Sequence, residues 1–456
     1  MAQKNGNIVA EIGASLTRWS MKYMPDPSIF AVLLTFIAFI LGIFLAKQTP
    51  MEMIQHWYKG FWSLLSFAMQ MALIIITGSC VADAPSVKKG IVKLAKLPKS
   101  GAQAAALITF ISVLVSYLHW GLTLIVSALL AKEIAKELRK DRIPFEYGLL
   151  AAAAYVGQMT WHGTLSASVG LLIATPGHFL EKEIGVIPMT DYMFNPMNII
   201  VTIALLILPP LFAYIMHPSN ENVAPLDPVA IEAIEAEAPT TDVLDHNASV
   251  GDMLNHSKIV SGLLCLMCFV YIILHFYTKG FSLDINIVNF IFLAFGIALH
   301  GNIANYLRAV KAAVGGVTGV IFQFPFYAGI MGMVRYSGLV DILANGVVSI
   351  SSQTTFYLMT FLSSSLVNLF VPSGGGQWTV QGPIAIQSAQ MMDANIIKTC
   401  LSVAYGNTWT NMFQPFWAIA LLGITGLKAK DIMGYSTAIM LLSGPIFILA
   451  TLFLPV

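Results

Sequence analysis

The sequence predicts an all-α polytopic membrane protein made of two inverted-topology repeats, and three observations lead to this fold class. Hydrophobic residues make up 57% of the 456 residues and charged residues 10%, whereas soluble domains carry about 25% charged residues. Apolar runs close to the roughly 20 residues that cross a bilayer as a helix recur along the chain. Two further apolar stretches do not fit as simple spans, and they indicate the repeats.

The membrane-spanning segments follow from the apolar runs. Residues 1–27 precede them and carry apolar side chains at helical spacing among charged ones, such as Ile8, Ile12 and Trp19. This pattern predicts an interfacial helix lying at the membrane surface. We expect about nine full spans in addition to two hairpins, and the spans are predicted at residues 28–46, 61–82, 147–177, 196–217, 258–277, 283–300, 313–334, 398–426 and 433–455.

The stretch 101–131 is predicted to form a re-entrant hairpin. Its 31 residues are fewer than the roughly 40 that two crossings require. Lysine and arginine are concentrated on both flanks, and an excess of these residues marks the cytoplasmic side. The stretch therefore enters and leaves from the cytoplasm, and the same path places the N-terminus there. The flanking basic residues are Lys88, Lys89, Lys93, Lys96 and Lys99 before it, and Lys132, Lys136, Arg139, Lys140 and Arg142 after it.

The stretch 354–392 is the corresponding hairpin of the second half and is reached from the opposite side. It contains PSGGGQW from Pro372 to Trp378, and glycine and proline are the weakest helix formers. Broken backbone at membrane depth is tolerated only where it is buried in protein or lines a watery cavity. Because transporters bind substrates and ions at discontinuous helices, we expect a binding site here.

Two of the predicted spans, 147–177 and 398–426, are too long and too polar to be plain helices. The first carries GQMTWHGTLSAS at 157–168, and the second carries YGNTWTNMFQP at 405–415. Each is expected to be a broken helix, with two halves joined by an unwound stretch near the membrane midplane. The two hairpins and the two broken helices would then bring half-helix ends to one place, and helix N-termini attract anions.

Short identities between the two halves support the repeats. A shift of 252 residues places Ser112 on Ser364, and a shift of 250 residues places Tyr155 on Tyr405. Together with the opposite sidedness of the hairpins, these matches predict inverted repeats with the substrate at their interface.

The chain divides into an N-terminal segment, two repeats and the residues that connect them. The connecting linker has eight acidic residues and no lysine or arginine, which predicts a flexible cytoplasmic connector. One further helix supplies the odd crossing that inverts the second half. The predicted divisions are the interfacial segment 1–27, the first repeat 28–217, the acidic linker 218–257, the inverting helix 258–282 and the second repeat 283–456.

The candidate substrate site is expected to hold an anion without a positive side chain. No lysine or arginine lies within the four broken elements between their flanks, so a carboxylate would be held by backbone N–H groups and uncharged polar side chains. This suits a small monocarboxylate, because a dicarboxylate or an amino acid would recruit arginine or a counter-charge. The tryptophans are either packing residues or the walls of a pocket for a short apolar tail. The candidate substrate-binding residues are Ser116, His119, Thr160, Trp161, His162, Ser373, Gly374, Gly375, Gly376, Gln377, Trp378, Asn407, Thr408 and Asn411.

Sodium is the expected coupling ion, and a proton is the alternative. A sodium ion needs only oxygen ligands. The four broken elements contain no aspartate or glutamate, so a proton would depend on His119 or His162, and a buried histidine is often purely structural. The candidate sodium ligands are Asn368, Ser364, Ser365 and Thr408.

Other classes of function are not indicated. The sequence shows no paired intramembrane carboxylates, metal-ligand cluster, phosphate loop or nucleophile elbow, so neither enzymatic activity nor an organic cofactor is expected. The net charge of +1 says little about partners, and none of the basic residues forms a cluster that suggests a nucleic-acid partner. Cys265 and Cys268 form a C-x-x-C pair inside an apolar run and are interpreted as packing residues.

Two long motifs carry a resemblance to a known family. PSGGGQW-x-x-QGP at Pro372–Pro383 and AYGNTWTNMFQPFWA at Ala404–Ala418 resemble the bacterial short-chain fatty acid transporter family, and the similarity covers nearly the whole chain. The resemblance implies import of short monocarboxylates such as butyrate or acetoacetate across the bacterial inner membrane, by a homodimer with an elevator motion. Dicarboxylate and amino-acid carriers of the same superfamily are the alternative. Sodium-binding relatives have an asparagine at each hairpin tip, whereas this chain has Asn368 in one repeat and Ser116 in the other.

Overall fold

The computed structural model describes residues 27–235, 249–369, 371–414 and 417–455. The predicted interfacial segment therefore lies outside the described residues except for residue 27, and so does the part of the linker at 236–248. Within the described ranges the chain is helical and contains no strand, which confirms the all-α prediction for those residues.

The first half of the chain contains the elements of the first predicted repeat and the beginning of the linker. Its helices are Pro27–Phe44 (α1), Pro50–Phe61 (α2), Leu65–Asp83 (α3), Pro85–Ala95 (α4), Gly101–Leu118 (α5), Trp120–Lys140 (α6), Tyr147–Val156 (α7), Ser168–Ile173 (α8), Glu181–Ile184 (α9), Met189–Met193 (α10), Pro196–Met216 (α11) and Pro228–Glu235 (α12), with 3₁₀ segments at Gly157–Gly163 and Asn220–Asn222.

The second half of the chain contains the remaining helices. Its helices are Val250–Asn255 (α13), Lys258–Lys279 (α14), Ile285–His300 (α15), Ile303–Ala313 (α16), Thr318–Tyr336 (α17), Leu339–Ser349 (α18), Phe356–Asn368 (α19), Gly374–Met391 (α20), Ile396–Thr410 (α21), Ile419–Thr425 (α22) and Ala429–Phe453 (α23), with 3₁₀ segments at Val314–Val317 and Asn411–Phe413.

Several helices begin at residues whose side chains cap free backbone N–H groups. The Ser100 hydroxyl accepts from the Gln103 N–H at 3.2 Å before α5. Asn302 caps α16 in the same way by accepting from the Asn305 N–H at 2.8 Å. The first N–H groups of a helix have no helical partner, so these caps define where each helix starts.

Six helical stretches in the described part of the chain are long and apolar enough to cross a membrane, judged by length and composition. Five of them match predicted spans, and the sixth, Gly101–Leu118, lies in the first predicted hairpin. The other four predicted spans are shorter or interrupted. Helix α1, with 18 residues, occupies the predicted span 28–46, and helix α15, with 16 residues, occupies 283–300. Polar segments interrupt 147–177 and 398–426.

The second helix of the first predicted hairpin extends further than the apolar stretch that marked it. Helix α6 runs to Lys140, nine residues beyond the predicted end at 131. Its last turns carry lysine, glutamate and arginine, which are good helix formers although they are not apolar. Helix α5 contains 18 residues, and helix α6 contains 21. Composition therefore located the apolar part of this pair and missed its helical end.

The packing of the helices divides the protein into two groups. Helix α17 packs against α1 and α2, and α3 packs against α15 and α16. In the other group α5 packs against α6, α7 and α11, and α19 packs against α21. The two groups meet where α6 packs on α3 and where α20 packs on α17. This arrangement places the interrupted helices in the centre of the second group, where Tyr155 and the alanines before it are fully buried.

The first part of the predicted linker is folded onto the helices. Ala230 and Ile234 of α12 are buried, and Glu235 forms an ion pair with Arg139 of α6. The imidazole of His217 accepts from the Glu146 N–H at 3.2 Å through Nε2, and burial lowers the pKa of His217, which favours this neutral, accepting ring. Residues 218–235 are therefore docked against the first repeat rather than a free connector.

Candidate functional site

The break between α5 and α6 is a single residue, His119. Its backbone is extended, with φ −160° and ψ 120°. Nδ1 of its ring accepts from the N–H groups of Gly121 at 3.1 Å and Leu122 at 3.3 Å. His119 therefore caps the start of α6, and because Nδ1 accepts, the ring proton is on Nε2.

The break between α19 and α20 is longer, and it also ends at an extended residue whose side chain caps the next helix. Ser373 is also extended, with φ −150° and ψ 118°, and its hydroxyl accepts from the Gly376 N–H at 3.2 Å. Contrary to the expectation that the three glycines interrupt the helix, Gly374, Gly375 and Gly376 form the first turn of α20. The interruption lies before them, between Asn368 and Ser373.

Close packing explains why this turn consists of glycine. A Cβ atom on Gly374 would lie 2.3 Å from Cε1 of His162, and one on Gly376 would lie 2.6 Å from the ring of Tyr327. A Cβ atom on Gly375 would lie 2.9 Å from Cζ of Phe67. Real carbon atoms do not approach so closely, so the glycines allow the start of α20 to contact these rings directly.

The two broken helices bring polar side chains beside this turn. After α7 the chain forms the 3₁₀ segment Gly157–Gly163 and resumes as α8, and after α21 it forms the 3₁₀ segment Asn411–Phe413 and resumes as α22. Both interruptions are buried. The hydroxyl of Tyr155 ties them together by donating to the carbonyl of Asn411 at 2.8 Å.

A buried network of amides links the second pair of helices to both broken helices. Its centre is Asn407 of α21, whose Nδ2 donates to Oδ1 of Asn368 at 2.8 Å and to Oε1 of Gln377 at 2.7 Å. Oδ1 of Asn407 lies 3.1 Å from Nε2 of His162. Because the Asn407 oxygen can only accept, this contact places the His162 ring proton on Nε2.

The neighbours of Asn407 complete the network. Nδ2 of Asn368 donates to Oδ1 of Asn411 at 2.8 Å and to the carbonyl of Asn407 at 2.9 Å. Nε2 of Gln377 donates to Oε1 of Gln381 at 2.8 Å, and Nε2 of Gln414 donates to the carbonyl of Asn368 at 2.7 Å. The network thus satisfies most of its own donors and acceptors without any charged group.

The candidate sodium ligands occupy different surroundings. Asn368 belongs to the amide network, and the Ser364 hydroxyl accepts from Nε2 of Gln377 at 2.7 Å while donating to the carbonyl of Val403. The hydroxyl of Ser365 donates to its own helix, at the carbonyl of Phe361, and that of Thr408 faces the carbonyls of its preceding turn. Within the described residues no group of three or more histidine, cysteine, aspartate or glutamate side chains forms a metal site.

The candidate residues of the first repeat surround a cluster of aromatic rings. The indoles of Trp120 and Trp161 stack with ring centroids 4.2 Å apart, and both contact Trp417 edge-on. The ring of His162 stacks on Trp161 at 4.7 Å. Thr160 uses its hydroxyl locally, on the carbonyl of Gly157 at 2.7 Å.

Several residues of this centre were not among the sequence-based candidates. Trp120 belongs to the aromatic cluster, Gln381 and Gln414 belong to the amide network, and the hydroxyl oxygen of Ser168 lies 3.3 Å from where a Gly374 Cβ would be. Gln381 stands four residues after Gln377, and amide side chains at that spacing on one helix face were the available signal.

The structure contains a cavity of about 290 Å³ between α3, α15 and the residues that follow α8. It is lined by the start of α3, including Ser66 and Phe67, by Thr175 after α8 and by Ile285 at the start of α15. Phe67 also contacts Gly375. The cavity is therefore separated from the glycine turn by one aromatic side chain.

Two solved structures that share this fold are a transporter and a protein described with a class of efflux pumps. The chain is similar to the YdaH transporter of Alcanivorax borkumensis, with a TM-score of 0.58 and 16% identity over 94% of this chain and 97% of that one. It is equally similar to Neisseria gonorrhoeae MtrF, described with a class of antimetabolite efflux pumps, with a TM-score of 0.58 and 12% identity over 96% of each chain. At these identities the likeness concerns the fold alone.

Sequence relatives are more specific. A Haemophilus influenzae protein named as a proposed short-chain fatty acid transporter is 40% identical, over 98% of this chain and all of the relative. An Escherichia coli protein with the same name is also 40% identical, over 98% of this chain and all of its own length. The family model described as short chain fatty acid transporter matches residues 8–454. Family and relatives are transporters rather than enzymes. With a match that extends over both sequence motifs, Pro372–Pro383 and Ala404–Ala418, and over the described helices, this chain belongs to the short chain fatty acid transporter family.

Proposed function

We propose that this protein is a secondary active transporter that imports short-chain monocarboxylates, such as butyrate or acetoacetate, by sodium symport. The observation that carries the proposal is the uncharged centre. The described residues of α5, α19, α20 and the interrupted segments contain no lysine, arginine, aspartate or glutamate, and their polar groups are amides, hydroxyls, indoles and imidazoles. A single carboxylate with a short apolar tail matches such a site, whereas two carboxylates or an ammonium group would lack a counter-charge.

Matched contacts in the two halves support an inverted repeat with two re-entrant hairpins. The Ser112 hydroxyl donates to the carbonyl of Ala154 at 2.7 Å, and the Ser364 hydroxyl donates to the carbonyl of Val403. Gly157 of the first broken helix packs tightly on Ser112, and Gly406 of the second broken helix packs tightly on Ser364. The extended caps His119 and Ser373 also correspond. Ser112 and Ser364 keep the 252-residue shift of the sequence identities, whereas the paired glycines are 249 residues apart and the two caps are 254 residues apart.

The elevator motion is part of the proposal and is supported by how the two groups of helices meet. In each half the second helix of the proposed hairpin packs on the preceding long helix, α6 on α3 and α20 on α17. These contacts form two surfaces. Along them the group that contains the interrupted helices can slide past the other group of helices. We place the protein in the bacterial inner membrane as a homodimer with a cytoplasmic N-terminus.

Substrate selectivity tests the proposal directly. Purified protein is expected to bind butyrate or acetoacetate more tightly than succinate or an amino acid, because the described centre offers donors for one carboxylate and no counter-charge. Binding of the same panel of acids, measured by calorimetry, gives the ranking. Tighter binding of succinate or of an amino acid would favour the alternative, a dicarboxylate or amino-acid carrier.

Ion coupling is expected to follow sodium, and the histidine geometry supports this preference. Nδ1 of His119 caps α6, so protonating the ring removes the cap. Asn368→Ala is expected to abolish the stimulation of butyrate uptake by a sodium gradient in proteoliposomes, whereas His162→Gln keeps an amide beside Asn407 and is expected to retain it. Proton symport is the second candidate, because His162 is titratable and lies in the network. Uptake that ignores sodium, follows a pH gradient and is lost in His162→Gln would establish it.

A further inference from the structure

We propose that the first repeat, rather than the glycine-rich turn of the second, binds the substrate carboxylate through four uncharged donors. These are the Ser116 hydroxyl, Nε2–H of His119 and the indole N–H groups of Trp120 and Trp161. The inference rests on the proposed function, since it assumes a monocarboxylate substrate. It assigns the carboxylate to three of the candidate substrate-binding residues, Ser116, His119 and Trp161, and adds Trp120.

All four donors are buried, and within the described part of the chain none of them is paired. The four residues are between 0% and 2% exposed, and none of these four atoms has a hydrogen-bond partner among the residues that the structure describes. Indole nitrogen can only donate. The His119 ring carries its proton on Nε2 because Nδ1 accepts from the backbone of α6. Buried donors without partners are rare in folded proteins, and a ligand that accepts hydrogen bonds explains their presence.

The donors belong to one compact part of the structure. Ser116 and Trp120 lie on either side of His119, which forms the break between α5 and α6 and whose ring contacts Phe292. Trp161 stacks on Trp120 at 4.2 Å. The segment after α7 is hydrogen-bonded to this break. The hydroxyl of Ser166 accepts from the Trp120 N–H at 3.0 Å, and Nε2 of Gln158 donates to the Trp120 carbonyl at 3.1 Å.

The chemistry of this cluster matches a monocarboxylate. An ionised carboxylate accepts about four hydrogen bonds on its two oxygens, and hydrogen bonds to a charged acceptor are the stronger kind. The aromatic rings around these donors supply apolar surroundings for a short alkyl tail. Neutral donors also leave no fixed charge behind when the acid leaves the site.

The second repeat differs at the corresponding place. Asn368 stands where the first repeat has Ser116, and its amide is held by Asn407 and Asn411. Gln377 is bonded to Asn407 and Gln381. This network leaves few donors for a ligand. The two repeats therefore have different functions, since the second closes the centre and the first binds the anion.

Single Trp→Phe substitutions test the assignment because they remove one N–H group and retain an aromatic ring. Trp120→Phe and Trp161→Phe are each expected to raise KM for butyrate uptake by about tenfold to hundredfold, with little change in kcat. Affinity for butyramide, which has no charge, is expected to change less than affinity for butyrate. Trp57→Phe is the matched control, because the buried indole N–H of Trp57 in α2 is also without a partner in the described residues and lies outside the site.

The competing location is tested by Trp378→Phe, which removes an unpaired indole N–H from the first turns of α20. A larger rise of KM in this variant than in Trp120→Phe and Trp161→Phe would overturn the assignment. Unchanged KM in both first-repeat variants, in protein whose thermal unfolding matches the wild type, would overturn it as well. Failure of the proposed function has a different signature, because wild-type protein would then bind no monocarboxylate at all.

Discussion

Replacing Asn407 by alanine is expected to abolish butyrate uptake and to lower the thermal unfolding midpoint. The substitution removes two donated hydrogen bonds, to Asn368 and Gln377, and the acceptor of His162. Each buried polar group left without a partner costs about 1–3 kcal/mol. Because three such groups lose a partner, we expect the free energy of unfolding to fall several times more than it does for an ordinary surface substitution. Uptake in proteoliposomes and thermal unfolding in detergent measure the two effects.

The matched control is Asn345→Ala. Asn345 is exposed in the middle of α18, and its amide donates to the carbonyl of Asp341 in its own helix. We expect this variant to change neither uptake nor unfolding measurably, because surface substitutions usually stay within about 0.5 kcal/mol. Wild-type uptake by Asn407→Ala would show that the amide network is not needed for transport.

Replacing Gly374 by alanine is the second substitution with a large expected effect. The new Cβ atom would lie 2.3 Å from Cε1 and 2.4 Å from Nε2 of His162. Either α20 or the His162 ring must move, and moving the ring breaks its contact with Asn407. Overpacking of this kind costs about 1–3 kcal/mol, and we expect uptake to be lost because the start of α20 and the amide network are displaced together. The same uptake and unfolding assays measure the result.

Gly423→Ala provides the control for a helical glycine. A Cβ atom on Gly423 of α22 would meet no atom within 4 Å, and replacing glycine by alanine inside a helix stabilises it by about 0.5–1 kcal/mol. We expect normal uptake and an equal or higher unfolding midpoint. If Gly374→Ala behaves like this control, the tight contact with His162 has no role in transport.

The sequence predicted a break at the glycine motif but not the helical structure of the glycines. Low helix propensity predicted a break at PSGGGQW, and a break is present just before it, between Asn368 and Ser373. The glycines themselves are helical, because Ser373 caps their turn and the rings of His162, Phe67 and Tyr327 leave no room for side chains. Propensity describes an isolated helix, whereas here packing decides.

The sequence by itself determined the membrane class, the family and the uncharged character of the centre. These properties are local or compositional, since apolar length, flanking charge and the absence of ionisable residues can be counted along the chain. The same counting indicated where helices α7 and α21 are followed by irregular segments, because polar residues interrupt apolar runs there.

Only the tertiary structure decided which polar groups are paired. His162 and Asn407 are 245 residues apart, and Asn368 and Asn407 are 39 apart, yet each pair is in hydrogen-bond contact. The hydroxyl of Thr408, adjacent to Asn407, instead faces the carbonyls of its own helix. A hydrogen bond depends on distances of a few tenths of an ångström and on direction, which helix packing sets and residue type does not. For that reason the paired amides of the second repeat and the unpaired donors of the first could be distinguished only in the folded protein.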